Sequence, residues 1–247
     1  MIMPLYVSDR QIVLPGDAVA TRDYNVGGSV YWDGDVAYSA VVGLVNVKSE
    51  RDVEVIPLSG IYRPRVGDVV IGYIIDIGLT GWTVDIKSPY SAYLPVQEAT
   101  LKPIDLTTVD LKDLLGIGDI VLARIIDFNL TRDYPVTLTL KETRLGRIEG
   151  GTLVEIDASK VARVIGRRGS MVSIFGEELN CDVTVGQNGR IWIRCRDPVD
   201  EPFVARVIKL IESESHTSGL TDRVKAIVSQ YRASKAGAKS QSPSTPS

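Results

Sequence analysis

The stretch VARVIGRRGSM, residues 161–171, decides the reading of the C-terminal third of this chain. Two glycines, Gly166 and Gly169, bracket two arginines, Arg167 and Arg168, with an apolar run on either side. Together with Lys160 and Arg163 they put four positive charges and no acid into residues 160–168, in a chain of net charge −3. The pattern predicts one helix ending on Ile165 and a second starting at Ser170, with the glycines in the joint. Glycine accepts backbone conformations closed to other residues, and its missing side chain lets another backbone lie close. The start of the second helix would offer free N–H groups and a positive dipole end to an anion. By itself a G-x-x-G is a weak signal, because a plain helix–helix turn looks the same.

The flanking residues make it specific. TLVEID reads as a strand, and Asp157 is a good N-cap for a short helix over ASKVARVI. SMVSIFGEEL places Met171, Ile174, Phe175 and Leu179 on one helical face. CDVTVG and RIWIRC read as two strands joined by a tight turn at Asn188-Gly189. DEPFVARVIKLIESE is a helix with Phe203, Val204, Val207, Ile208 and Ile211 facing inward. The order is β-α-α-β-β-α. TDRVKAIVSQYR adds a helix expected to pack on this domain. The closing ASKAGAKSQSPSTPS has no large apolar residue to bury, so residues 233–247 are expected to be a disordered tail.

Upstream, β-branched residues are dense and turn residues separate the runs. VGDVVIGYIIDI, GWTVDI, SAYLPV, GDIVLARIIDFN and PVTLTLKE read as five strands. A helical or looped insertion around DLTTVDLKDLLGIG parts the third from the fourth. That layout fits a small OB-type barrel. Residues 1–55 show no helical periodicity. VLPGD is a turn, and WDGD is a hairpin signal between GSVY and VAYSAVVGLVNV. The expected fold class is multidomain and mainly β with α+β. It comprises an all-β domain at 1–58, a barrel at 59–147, an α+β domain with an extra helix at 148–232, and the tail.

Composition narrows the chemistry. The 247 residues are 44% apolar and 24% charged, as in ordinary globular proteins. No segment approaches the roughly 18 uncharged apolar residues of a membrane span. MIMPLYVSDR lacks the pattern of a secretory signal, so a cytoplasmic location is expected. Cys181 and Cys195 are not a CxxC pair and are expected to be two small buried residues. The lone histidine, His216, sits in the polar ESESHTSG, so neither a histidine-based triad nor a metal site is expected. No metal or cofactor is expected. Residues 1–55 hold eight acids and four bases, whereas residues 150–196 hold five acids and seven bases. A basic face on an acidic protein still draws in phosphate.

VIGRRGSM within its β-α-α-β-β-α order resembles a type I KH domain, which clamps about four nucleotides of a single strand. The resemblance implies that phosphates lie on Gly166 and Gly169, with Lys160, Arg163, Arg167 and Arg168 supplying field. Val164, Ile165 and Ile174 would line or support an apolar groove, or simply belong to the core. The two runs VGDVVIGYIIDIGLTGWTVDI and GDIVLARIIDFNLTRDYPVTLTLKE resemble the S1 RNA-binding domain, an OB fold. Trp82 falls where that family has its stacking aromatic, and Tyr73, Lys87, Tyr93 and Arg124 would surround the same face. Trp82 in the core is the alternative. Pro95 stands where the family often has a histidine, and Leu79 stands in for a second aromatic, so the stacking platform is reduced.

The whole combination is similar to the RNA-binding cap subunits of archaeal exosomes, of the ribosomal-RNA-processing protein 4 type. That resemblance implies a non-catalytic chain. Three copies would sit by their N-terminal domains on a hexameric ring of RNase-PH-like subunits and guide single-stranded RNA 3′ ends to its pore. Two other readings stay open. A nuclease would need clustered carboxylates, and Asp76, Asp85, Asp127 and Asp133 show no metal spacing. An S1–KH factor in transcription or translation would often carry tandem KH domains, and one glycine loop of this type is present.

Overall fold

A computed structural model describes residues 5–100, 110–215, 217 and 219–239. His216 and most of the insertion after the third barrel strand lie outside the described residues. Residues 1–60 and 61–247 form two separate compact units.

Among its described residues the regular elements of the first unit are all strands: β1 (Ile12–Val13), β2 (Ala18–Thr21), β3 (Asn25–Gly28), β4 (Val30–Asp33), β5 (Val36–Ser39), β6 (Gly43–Val47) and β7 (Asp52–Pro57). They form a four-stranded sheet, β1-β6-β7-β3, and a three-stranded one, β2-β5-β4. The hairpin expected at WDGD is the β4–β5 turn, where Asp33 pairs Val36 across Gly34 and Asp35. Valines build the core: Val13, Val45 and Val55 are fully buried. Alternation sends their neighbours Ile12, Leu44 and Ile56 to the opposite face.

The second unit begins with the barrel. Its strands are β8 (Val69–Ile77), β9 (Gly81–Asp85), β10 (Ala92–Pro95), β11 (Ile120–Phe128), β12 (Val136–Thr139) and β13 (Gly146–Ile148). Two short helices, α1 (Val96–Ala99) and α2 (Leu111–Leu114), lie between β10 and β11. Closure comes from two pairings of β12, parallel to β10 and antiparallel to β11. The five strands expected from sequence all appear, within three residues at either end, and β13 adds itself to β11.

The α+β domain follows as β14 (Thr152–Glu155), α3 (Val161–Ile165), α4 (Ser170–Leu179), β15 (Cys181–Val185), β16 (Arg190–Cys195), α5 (Glu201–Ser213) and α6 (Leu220–Lys239). The antiparallel sheet runs β14-β16-β15. Val154, Ile191, Ile193 and Cys195 point from its inner face into the helices. Helix α6 reaches Lys239, so residues 233–239 are helical where a disordered tail was expected. Its anchors are Tyr231, stacked on Phe203 at 3.7 Å, and Lys235, paired with Asp197 and Asp200. These polar and aromatic contacts do not register in an apolar count. The two cysteines also differ from expectation. Cys181 lies directly opposite Cys195, and they form a disulfide across β15 and β16.

Candidate nucleic-acid interface

Helix α3 ends at Ile165, and Gly166 breaks it with φ +74° and ψ 175°. A Cβ on Gly166 would stand 2.8 Å from the Met171 nitrogen and 2.9 Å from its Cβ. The first glycine therefore lets α4 fold back against the end of α3. Gly169, at φ +81°, meets the opposite situation: a Cβ there would touch nothing within 4 Å. That side of the loop is open, and a phosphodiester has room to lie on it. Arg168 between them is left-handed at φ +53°, a conformation that costs a non-glycine residue about 1–2 kcal/mol. The Gly169 N–H closes the turn on the Gly166 carbonyl at 3.3 Å.

No side chain caps α4, and its first N–H, on Ser170, closes on the Arg167 carbonyl within the loop. Arg167 and Arg168 are exposed and Lys160 half-buried. None of these three has a side-chain partner among the described residues. Arg163, expected beside them, is committed elsewhere: its guanidinium donates to the Thr217 carbonyl at 2.7 Å. Val164 and Ile174 are core residues, and the half-buried Ile165 packs against the same cluster.

The barrel redistributes its expected residues more strongly. Trp82 is fully buried, and its Nε1 donates to the Leu115 carbonyl at 2.9 Å. It is a core side chain and not a stacking platform. Strand parity carried the signal, because Trp82 shares its face of β9 with Val84 and then Ile86, all buried. Arg124 forms a two-pronged pair with Glu142 and also donates to the Gly67 carbonyl at 2.6 Å. Tyr93 is half-buried and carries no charged partner among the described residues. It stacks on Tyr134 at 5.1 Å and shares a hydrogen bond with Thr80. Leu79, 95% exposed, sits at the tip of the adjoining β8–β9 loop. Tyr134 was missed because it lies in a polar loop, TRDYP, outside any strand pattern.

Tyr73 and Lys87 are drawn into a joint between the barrel and the α+β domain. Lys87 donates to the Ile156 carbonyl at 3.1 Å and pairs with Glu155. The Tyr73 ring carries the Arg190 guanidinium 4.7 Å above it. Arg190 is buried, yet it also bonds Glu155 at 2.9 Å and the Asp85 carboxylate and carbonyl at 2.5 Å each. Burial alone would push the Asp85 and Glu155 carboxyls up. The hydrogen bonds from Arg190, together with Lys87, outweigh it and hold both below the usual carboxylate range.

At the centre of the joint is Asn188, fully buried on the β15–β16 turn. Its Oδ1 accepts from the Ile71 N–H at 3.3 Å, and its Nδ2 donates to the carbonyls of Ile71 and Ile86 at 2.8 and 2.9 Å. Strand β9 pairs β8 only as far as Asp85 opposite Tyr73. Two residues on, Lys87 turns to φ +56° and leaves the ladder. The Asn188 amide therefore fills the place of a missing strand residue. Gly186 allows the approach, since a Cβ there would stand 3.0 Å from the Ile71 nitrogen. The turn is centred on Gln187 and Asn188, one residue earlier than expected, with Gly189 left-handed at φ +80°.

An antiparallel β-α-α-β-β-α domain with an exposed G-R-R-G loop, locked to a closed OB-type barrel, defines the S1–KH class of RNA-binding protein. Family models agree along the chain: "Exosome RNA binding protein RRP4 N-terminal domain" over residues 10–59, "RRP4, S1 domain" over 61–115 and "KH domain" over 151–199. Among curated proteins, "Exosome complex component Rrp4" of Pyrobaculum aerophilum is 52% identical, covering 93% of this chain and 97% of that one. The Thermofilum pendens protein of the same name is 48% identical over 92% and 95%. A crystal structure of a candidate exosome complex RNA-binding protein is 40% identical with a TM-score of 0.65, covering 71% of this chain and 99% of that one. The chain belongs to the Rrp4 family of exosome RNA-binding components.

Proposed function

We propose that this chain is a non-catalytic cap of an archaeal exosome in the cytoplasm, holding single-stranded RNA and guiding its 3′ end to a ring that degrades it. The observation that carries the RNA reading is the 166–169 loop. Its open glycine, uncapped helix start and three unpartnered cations, Lys160, Arg167 and Arg168, meet phosphate and not base edges. Binding of this kind is strong and sequence-tolerant. Tyr93, Tyr134 and Leu79 give the barrel a small accessible surface for bases.

The docking half of the reading is supported by the first unit. Ile12, Leu44 and Ile56 stand side by side on adjacent strands, and Ile12 and Ile56 are 59% and 39% exposed. Leu14 and Val42 extend this apolar area with 55% and 44% exposure. Contiguous exposed apolar patches mark protein interfaces. The fitting partner is an RNase-PH-like ring subunit, with three copies of this chain on a hexamer. Of the four carboxylates weighed above, Asp85 is engaged by Arg190 and Asp127 by Arg132. Among the described residues no three or more His, Cys, Asp or Glu side chains gather as a metal site.

The test replaces Arg167 and Arg168 with aspartate. The loop is exposed, so the fold should stand while RNA affinity falls. Each lost phosphate contact should reduce the slope of log K against log salt by about 0.7. A folded double variant with wild-type RNA affinity would refute the clamp.

A further inference from the structure

We propose a second single-stranded RNA subsite, in the cleft between the outer face of the KH sheet and the 142–149 segment that leads out of the barrel. This inference rests on the RNA-binding reading above and adds a site on the opposite side of the KH sheet from the helices.

The inner face of that sheet is spent on the core. Its outer face carries Trp192 at the centre, between Leu153 on β14 and Thr184 on β15 by register. One residue pair further along β16 and β15, Arg194 faces solvent opposite Asp182. Across from this face run β13 and the residues before it. A cleft of about 900 Å³ separates the two, walled by Leu122, Arg144, Arg147 and Glu149 on one side and by Asp182, Trp192 and Arg194 on the other. A smaller cleft of about 580 Å³ continues from it past Arg144 to Arg124 and Lys141.

The two walls differ in what is free. Arg147 is taken by Asp119 and Glu149, Arg124 by Glu142 and Lys141 by Glu98. Arg144 and Arg194 are exposed and have no side-chain partner among the described residues. Two unpaired guanidiniums, one from each domain, therefore flank an indole that is half-buried and fixed in place. The indole N–H donates to the Gly150 carbonyl at 2.8 Å, which fixes one edge of the ring, and the side chain lines the cleft. An aromatic face between cations that can follow a phosphate chain is what a sequence-tolerant single strand requires. The Asn188–Arg190 joint keeps the two walls at a fixed separation, so the subsite exists only while barrel and KH domain are locked. RNA leaving the glycine loop would reach it around β15, the sheet's edge strand.

The experiment uses the full chain and oligouridylates of about 4 and about 12 nucleotides, lengths that span the KH clamp alone and the clamp plus a further subsite. Three proteins are compared: wild type, Arg144→Glu with Arg194→Glu, and Trp192→Phe. Wild type should bind the longer strand more tightly, with quenching of Trp192 emission. The double variant should keep its affinity for the short strand, lose the gain with length by on the order of tenfold or more, and show a lower salt slope on the long strand only. Trp192→Phe, which keeps a stacking ring, should keep most of the affinity and lose the quench. Equal affinity of wild type and the double variant at both lengths would overturn the subsite while leaving the clamp intact. So would loss of ring binding in place of RNA binding, since the cleft would then hold a protein. Absence of any RNA binding by wild type would overturn both readings.

Discussion

Asn188→Ala tests whether barrel and KH domain are one mechanical body. The side chain is fully buried and makes three hydrogen bonds, all to backbone groups of the barrel. Truncation leaves the Ile71 N–H and the Ile71 and Ile86 carbonyls facing a small polar gap. Each neutral bond contributes about 0.5–1.5 kcal/mol net, and an orphaned buried group costs about 1–3 kcal/mol. The Ile71 carbonyl keeps a long contact from Arg190 at 3.4 Å, and water offsets part of the rest. A loss of about 2–4 kcal/mol follows, or roughly 5–15 °C in the melting temperature of a unit this size. Calorimetry of the full chain reads it directly, and urea unfolding can be followed through Trp82 in the barrel and Trp192 in the KH domain. The two reporters should coincide in wild type and separate in the variant. Asn188→Asp should be worse than alanine, because it keeps the acceptor for Ile71 but sets a carboxylate against two carbonyls. Gln187→Ala is the control, since only its backbone N–H is used, toward the Val69 carbonyl at 2.8 Å. A shift below about 0.5 kcal/mol for Asn188→Ala, with the two reporters still together, would refute the reasoning.

Trp82→Ala should cost about 3–5 kcal/mol in barrel stability, whereas a residue that only stacked RNA would cost little; urea melts decide. Acid should loosen the joint. The folded Asp85 and Glu155 carboxyls lie below their unfolded values of about 3.9 and 4.3. Their contribution is therefore whole above those values and is lost as pH falls through the folded ones. The melting temperature should be flat near neutrality and drop below about pH 4, with a smaller drop in Asp85→Asn. Gly166→Ala should destabilise the KH domain by about 1 kcal/mol or more beyond Gly169→Ala, because it adds a clash with Met171 to its backbone strain. Gly169→Ala should fold and still bind RNA more weakly, as filter binding would show. Ile12→Glu with Ile56→Glu should abolish co-purification with ring subunits and leave the RNA affinity of the isolated chain unchanged.

What the sequence revealed depended on how local the physics was. The helix–glycine–helix joint and the barrel strands are set by neighbours in the chain, and they appear where backbone propensity and periodicity put them. That Arg167 and Arg168 stand exposed follows from the loop's own sequence, since an exposed basic loop needs no partner to be what it is. Trp82 was legible too, but by parity with Val84 and Ile86 and not by likeness to a stacking aromatic. The residues of the joint were not. Asn188 reads locally as a turn residue, and so it is; its other role depends on β9 running out one pair too soon, 102 residues earlier in the chain. Tyr73 and Lys87 read as RNA-facing groups because their partners, Arg190 and Glu155, lie in another domain. Their burial carries a functional consequence. A KH loop on a mobile tether would meet RNA at no set distance from the barrel. Pinned through a polar ladder, the loop stands at one fixed place relative to Tyr93 and Tyr134, which is what the proposed RNA path requires. Under the proposed RNA reading, the cations and aromatics spent on the joint set the geometry in which the remaining ones would work.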